Sequence, residues 1–175
     1  MTRWVALLYS VVLTQQRRVT SAQLLQLAND LGLAAPKTVL STGNLIFDAK
    51  GDEDGLSDLI ERQIAHDWAR PIAVLLRSSS DFVNLLATNP FPTHDPAKVA
   101  VRLMRYPPST DHQTRLAALG NPAEAFAPLD RDLWIATKDH LSTSAMMRAI
   151  ASPKLGIGTF RSASALTKIA MALAN

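Results

Sequence analysis

The chain carries one succession of apolar runs and amphipathic stretches twice, and that repetition limits its folds more than any other feature. In the first half, "WVALLYSVVL" (Trp4 to Leu13) is a continuous Val-rich apolar run, as in a strand buried on both faces. "TSAQLLQLANDLG" then opens on Thr20 with Gln23 three residues on, a capping-box pattern. Leu24, Leu27, Ala28 and Leu31 recur on one helical face, and Gly32 stands where a helix end favours a left-handed residue. "TVL" and "LIF" are short strands flanking the polar stretch Ser41-Thr42-Gly43-Asn44. Gly43 and Asn44 tolerate positive φ, so a tight hairpin turn is expected there. "GDEDGLSDLIERQIAHDWA" predicts an amphipathic helix with Leu56, Leu59, Ile60, Ile64 and Trp68 inward and its acids at the N-terminal end, where the helix dipole favours them. Pro71 leads into a further strand, "IAVLL".

A short helix capped by Ser79 or Ser80 is expected next, ended by Pro90 and Pro92, with "THDPAK" as a linker. The order then returns. "VAVRLM" is a strand and Ser109 to about Leu119 a helix. "EAFAPL" and "LWIAT" form a hairpin around Asp130-Arg131. "STSAMMRAIAS" is a helix, "IGTFR" a strand, and "SASALTKIAMALA" an extra terminal helix. Each half reads β-α-β-β-α-β, the order of a ferredoxin-like, split βαβ unit. The expected fold is therefore α+β, with duplicated ferredoxin-like halves, antiparallel sheets and an extra C-terminal helix. The expected division is residues 1–77, a connecting segment 78–97, and residues 98–175.

Composition supports this and narrows the chemistry. With 175 residues, 47% of them hydrophobic, the chain can bury one full core or two small ones. There is no Cys, which excludes disulfides, thiolate nucleophiles and Cys-ligated metals. The N-terminal apolar run falls short of the ~20 residues needed to span a bilayer. Gln15, Gln16, Arg17 and Arg18 follow it without a cleavage pattern, so a cytoplasmic protein with no membrane partner is expected. Net charge is +3 but unevenly spread. Seven acids fall between Asp48 and Asp67, and none follows Asp139, where Arg148, Lys154, Arg161 and Lys168 remain. Those sparse cations fit a solvated surface better than a nucleic-acid patch, so nucleic acid ranks last among partners.

No catalytic motif stands out. His66, His94, His112 and His140 have no metal-ligand spacing, and neither a metal nor a cofactor is expected. His66-Asp67 is an adjacent pair, and helix neighbours point in different directions. "GIGTF" precedes a strand, so it is not a dinucleotide fingerprint. Asp130 and Asp132 fit a turn. Ser142, Thr143 and Ser144 read as helix caps, with anion capture as the functional alternative. Arg17-Arg18 occupies a βα loop, where ligands are often reached.

The landmarks "WVALL", "RV" at Arg18-Val19, "TVLSTGNLIF", "NPFP" at Asn89 to Pro92 and "LTK" at Leu166 to Lys168 occur in an order that resembles the DUF1697 family, bacterial proteins of unknown function. The resemblance covers nearly the whole chain and implies duplicated ferredoxin-like halves. The chain departs from it in three places. Tyr9 to Gln15 stands where the family has an "RGINVGG"-type segment. "SASALTKI" keeps Thr167 and Lys168 of an "NWNTVTKL"-like stretch, and "DHLSTSAMM" keeps Ser144 of a "GxGxSKL"-like loop. Three functional readings follow. The first is a small-ligand-binding or regulatory module without catalysis, with a small or anionic ligand. The second is an enzyme acting on a small or phosphorylated substrate. The third is weak nucleic-acid binding through the C-terminal region. The candidate ligand residues are Arg18, Thr42, Asn44, Thr167 and Lys168.

Overall fold

The computed structural model describes residues 1–9, 18–40, 43–120 and 122–174. Among them the chain forms two compact units, Met1–Asn84 with Lys168–Asn175, and Leu85–Thr167. The first holds β1 (Thr2–Leu8), α1 (Ser21–Asp30), β2 (Ala34–Thr38), β3 (Asn44–Ala49), α2 (Glu53–Trp68) and β4 (Val74–Ser78), followed by α3 (Ser79–Ala87). The second holds β5 (Val99–Met104), α4 (Thr110–Ala117), β6 (Glu124–Leu129), β7 (Asp132–Thr137), α5 (Ala145–Ile150) and β8 (Gly158–Ser162); α6 (Ala163–Leu173) follows, its residues from Lys168 on counted with the first unit. The sheets have equivalent strand orders, β2-β3-β1-β4 and β6-β7-β5-β8, and every pairing is antiparallel. The fold is thus α+β with duplicated ferredoxin-like halves and a C-terminal helix.

In the first unit, the side chains of β1 and β3 that face the helices (Trp4, Ala6, Leu8, Leu45, Phe47) pack with Leu24, Leu27, Leu56, Ile60 and Ile64. Leu59, expected to face inward, is exposed. The capping box of α1 forms as read, with Thr20 Oγ1 accepting from Gln23 N and Gln23 Oε1 accepting from Thr20 N. Gly32 has φ +65°, the left-handed residue expected past the helix end. On β1's opposite face Val5 and Leu7 are equally buried, which explains the unbroken apolar run. Residues 10–13 of that run lie outside the described residues.

The duplication extends to residues, which element order alone did not reveal. β4 ends and α3 begins in "RSSS" (Arg77–Ser80), and β8 ends and α6 begins in "RSAS" (Arg161–Ser164). Ser78 Oγ accepts from Asp81 N at 3.1 Å, and Ser162 Oγ accepts from Ala165 N at 3.2 Å. The α3 cap is therefore Ser78, not Ser79 or Ser80. Arg77 Nη1 donates to Leu76 O at 2.8 Å, and Arg161 Nη1 donates to Phe160 O at 2.7 Å. Phe82 and Leu166, each four residues past its serine, are both fully buried.

The second unit is fastened by one buried cation. Arg102, on central strand β5, is 1% exposed. Its Nη1 donates to Ile150 O at the end of α5 and to Ser152 O (2.9 Å), and its Nη2 donates to Gly156 O (2.8 Å). Ile150 O ends a helix, a group that an α-helix leaves unpaired and that attracts positive charge, and the other two belong to the turn after it, where Ser152 O also accepts from Leu155 N at 3.2 Å. Gly158 opens β8 against this guanidinium. A Cβ there would collide with Met104 Sδ and lie 2.7 Å from Arg102 Nε and 2.9 Å from Leu103 O. Gly158 is thus a close-approach glycine at the start of a strand. Asp132, read as a turn residue, is buried at the first position of β7 and accepts from Met104 N at 2.7 Å.

Candidate functional site

The "LSTGNLIF" hairpin is closed by the side chain and the backbone of Asn44. Asn44 is fully buried in β3, where its Nδ2 donates to Val39 O at 2.9 Å and its carbonyl accepts from Val39 N at 3.1 Å. The positive φ values fall at Leu40 (+59°) and Gly43 (+66°). Asn44 was expected to tolerate a left-handed turn; instead it is an extended strand residue whose amide clasps the turn's entry. Its partner in the motif, Thr42, lies outside the described residues, as do Ser41 and Arg17. Arg18 is exposed two residues before α1's cap. Thr167 Oγ1 donates to Ala163 O on its own helix at 3.1 Å, and Lys168 is exposed beside it. Adjacent helix residues diverge by roughly 100°, so Thr167 and Lys168 do not converge on one point.

Three other readings can be placed in the structure. His66 Nδ1 and Asp67 Oδ1 are 2.8 Å apart, so this adjacent pair does bond at the end of α2, although helix neighbours were expected to diverge. That hydrogen bond, with Gln63 Nε2 on both Asp67 oxygens, holds the Asp67 carboxyl below its ordinary value. Ser144 is the α5 cap, accepting from Met147 N at 2.9 Å. In the basic C-terminal region, Arg148 donates to Thr143 O. Arg161 is half-buried, and it also donates to Thr159 Oγ1; burial pushes its guanidinium down to about 10. Both cations are engaged within the fold.

A cavity of about 230 Å³ lies in the second unit, lined by Ala123, Glu124, Thr137, Asp139, His140, Thr143, Ser144 and Ala145. Glu124 and Thr137 are direct partners in the β6–β7 ladder, so their side chains stand on one face. Phe126 and Ile135 lie on that same face and pack toward α5. The wall is completed by the connection from β7 to α5. It runs over residues 138–144, whereas the equivalent β3-to-α2 connection of the first unit occupies only residues 50–52. The longer loop carries a single 3-10 turn at Leu141–Thr143. Thr143 Oγ1 donates to His140 O at 2.9 Å, and Thr137 Oγ1 donates to Asp139 O at 2.8 Å. Glu124 Oε2 reaches the start of α5, 3.4 Å from Met146 N.

Of the candidate residues that are described, Arg18, Asn44, Thr167 and Lys168, none lines this cavity. Sequence reading reached its far wall through Ser142-Thr143-Ser144 but missed Glu124, Thr137, Asp139 and His140. The signal was present: counting outward from the Asp130-Arg131 turn pairs Leu129 with Asp132 and, at the hairpin's open end, Glu124 with Thr137.

The fold has a solved counterpart. The conserved bacterial protein SP0830 from Streptococcus pneumoniae matches with a TM-score of 0.80 at 21% identity, over 100% of this chain and 99% of that one. No curated protein matches the chain. The model of the DUF1697 family, described as a protein of unknown function, matches residues 1–134. Of the cavity's lining, Ala123 and Glu124 fall inside that match and Thr137 to Ala145 beyond it. The match spans well over half of the 175 residues, and the chain belongs to the DUF1697 family.

Proposed function

We propose that this protein is a small-ligand-binding module whose ligand occupies the cavity between the β6–β7 hairpin and the start of α5. The observation that carries the reading is the contrast between the duplicated units. The two share strand order, junction motif and capping, yet only the second has the long β7–α5 connection, and that connection walls a polar cavity. Loops that lengthen on a fixed scaffold are where binding is commonly built. At about 230 Å³ the cavity is smaller than the roughly 300–1,000 Å³ of drug-sized sites, so the ligand is small. The enzyme reading calls for turnover at this same cavity. The nucleic-acid reading loses support from the engagement of Arg148 and Arg161 within the fold.

The test is a small-molecule screen read by amide chemical shifts. Compounds that bind should perturb Thr137, His140, Thr143 and Ala145 and raise the melting temperature with the logarithm of their concentration. Hits that map consistently to other surfaces, or a diverse screen with none, refute the assignment. A hit consumed on incubation would move the reading from binding to catalysis.

A further inference from the structure

We infer that the ligand of this cavity presents an ammonium group. The inference rests on the reading of the cavity as a ligand site and adds the ligand's chemical class. A hydroxyl has one proton and two lone pairs. Thr137 and Thr143 give their protons to the Asp139 and His140 carbonyls, which turns their lone pairs into the groups they can offer a ligand. The carboxylates of Glu124 and Asp139 are acceptors as well. Among the described residues that line the cavity, none is a lysine or arginine. Arg148, one turn into α5, is directed to Thr143 O. Ser144, whose oxygen takes Met147 N, and the His140 ring add donors at the α5 end, while Glu124, Asp139, Thr137 and Thr143 make the rest of the polar wall a set of acceptors of negative or neutral charge. Such a wall selects a compact cationic donor with several N–H groups and disfavours phosphates and carboxylates. An alkylammonium has three donors on one atom, which suits acceptors converging from the two strands and the loop. Small primary amines, amino alcohols and amino acids held by their amino end belong to this class.

Three probes of nearly equal size isolate the charge: ethanolamine, ethylene glycol and glycolate, titrated into the full-length chain while amide shifts are followed. Ethanolamine is expected to perturb Thr137, Asp139, His140 and Thr143 and to bind at least about tenfold more tightly than the glycol, in line with a charge-assisted hydrogen bond. Glycolate is expected to leave those amides unmoved. Glu124→Gln keeps an oxygen for Met146 N, and Asp139→Asn changes an exposed side chain, so both variants should fold. Each is expected to weaken ethanolamine by roughly fivefold or more. If glycol or glycolate moves the same amides as well as ethanolamine does, or if neither variant affects ethanolamine, the ammonium assignment fails while the ligand site stands. If a wide panel of amines and non-amines alike leaves these amides unmoved, both fail.

Discussion

Replacing Arg102 by methionine tests the physical account of the second unit most sharply. Methionine keeps much of the side-chain length and removes the guanidinium. Two effects then oppose each other. Relief of the guanidinium's desolvation stabilises the variant, and for buried ion pairs exchanged whole for apolar groups this relief can cancel the loss. Here, however, the acceptors are backbone carbonyls of Ile150, Ser152 and Gly156, which no side-chain change removes. A buried acceptor left without its donor costs about 1–3 kcal/mol. The Ile150 bond is buried, whereas the other two are partly open to water, and Ser152 O keeps its hydrogen bond from Leu155 N, so these two recover part of their loss. The loss exceeds the relief, and a net destabilisation of about 3 kcal/mol is expected. For a chain of this size that corresponds to a fall in Tm of roughly 6–12 °C. Urea unfolding should show a lower midpoint at unchanged slope, and amide exchange should rise first around Ile150 to Gly158. Arg102→Lys should fall between, since a compact ammonium cannot span carbonyls that the planar fork reaches together. Arg115→Met, at an exposed pair with Asp111, should stay within about 0.5 kcal/mol of the parent. An Arg102→Met protein as stable as the Arg115→Met control would refute the reasoning.

Three other perturbations follow from the geometry. Gly158→Ala should cost about 1–3 kcal/mol by overpacking against Met104, Arg102 and the Leu103 carbonyl, and a melt equal to the parent's would show that the strand yields freely. Asn44→Ala should destabilise the first unit by about 1–3 kcal/mol, because Val39 O loses its buried donor; an unchanged melt would reassign Asn44 from the hairpin to some other role. Asp67 should titrate below its ordinary value by carboxyl-detected NMR, and His66→Ala should let it rise. The sign is that of a depressed carboxyl: any stabilisation is present above the unfolded-state value and disappears as pH falls through the folded one. An Asp67 midpoint indifferent to His66 would remove the hydrogen bond as the cause.

The architecture was readable because it rests on short-range signals. Period-3.6 patterns marked α1 and α2, a continuous apolar run marked β1, and the capping box at Thr20 located a helix start to the residue. Turn chemistry was readable in kind but not in assignment. Gly43 took the positive φ it suits, whereas Leu40, a residue type that rarely adopts it, took the other. Asn44 instead used its amide across the hairpin, a role that depends on where Val39 ends up. The candidate ligand residues came from motif order, which says nothing about convergence in space. Glu124 and His140 are brought to one cavity by strand register and loop path. Arg102 left a usable trace: a charged residue inside "VAVRLM" must find built partners or break the strand pattern. The partners themselves, 48 to 54 positions away, are legible only in the fold.

The first unit is not continuous in the chain: it takes Met1–Asn84 and then Lys168–Asn175, with all of Leu85–Thr167 in between. During synthesis the second unit is therefore fully specified before the first receives its last segment. Single domains usually fold in the order they emerge. Here the N-terminal sheet, though made first, must wait through the production of its duplicate before its final residues arrive. A chain released before Lys168 would hold every residue of the second unit and lack the segment that completes the first.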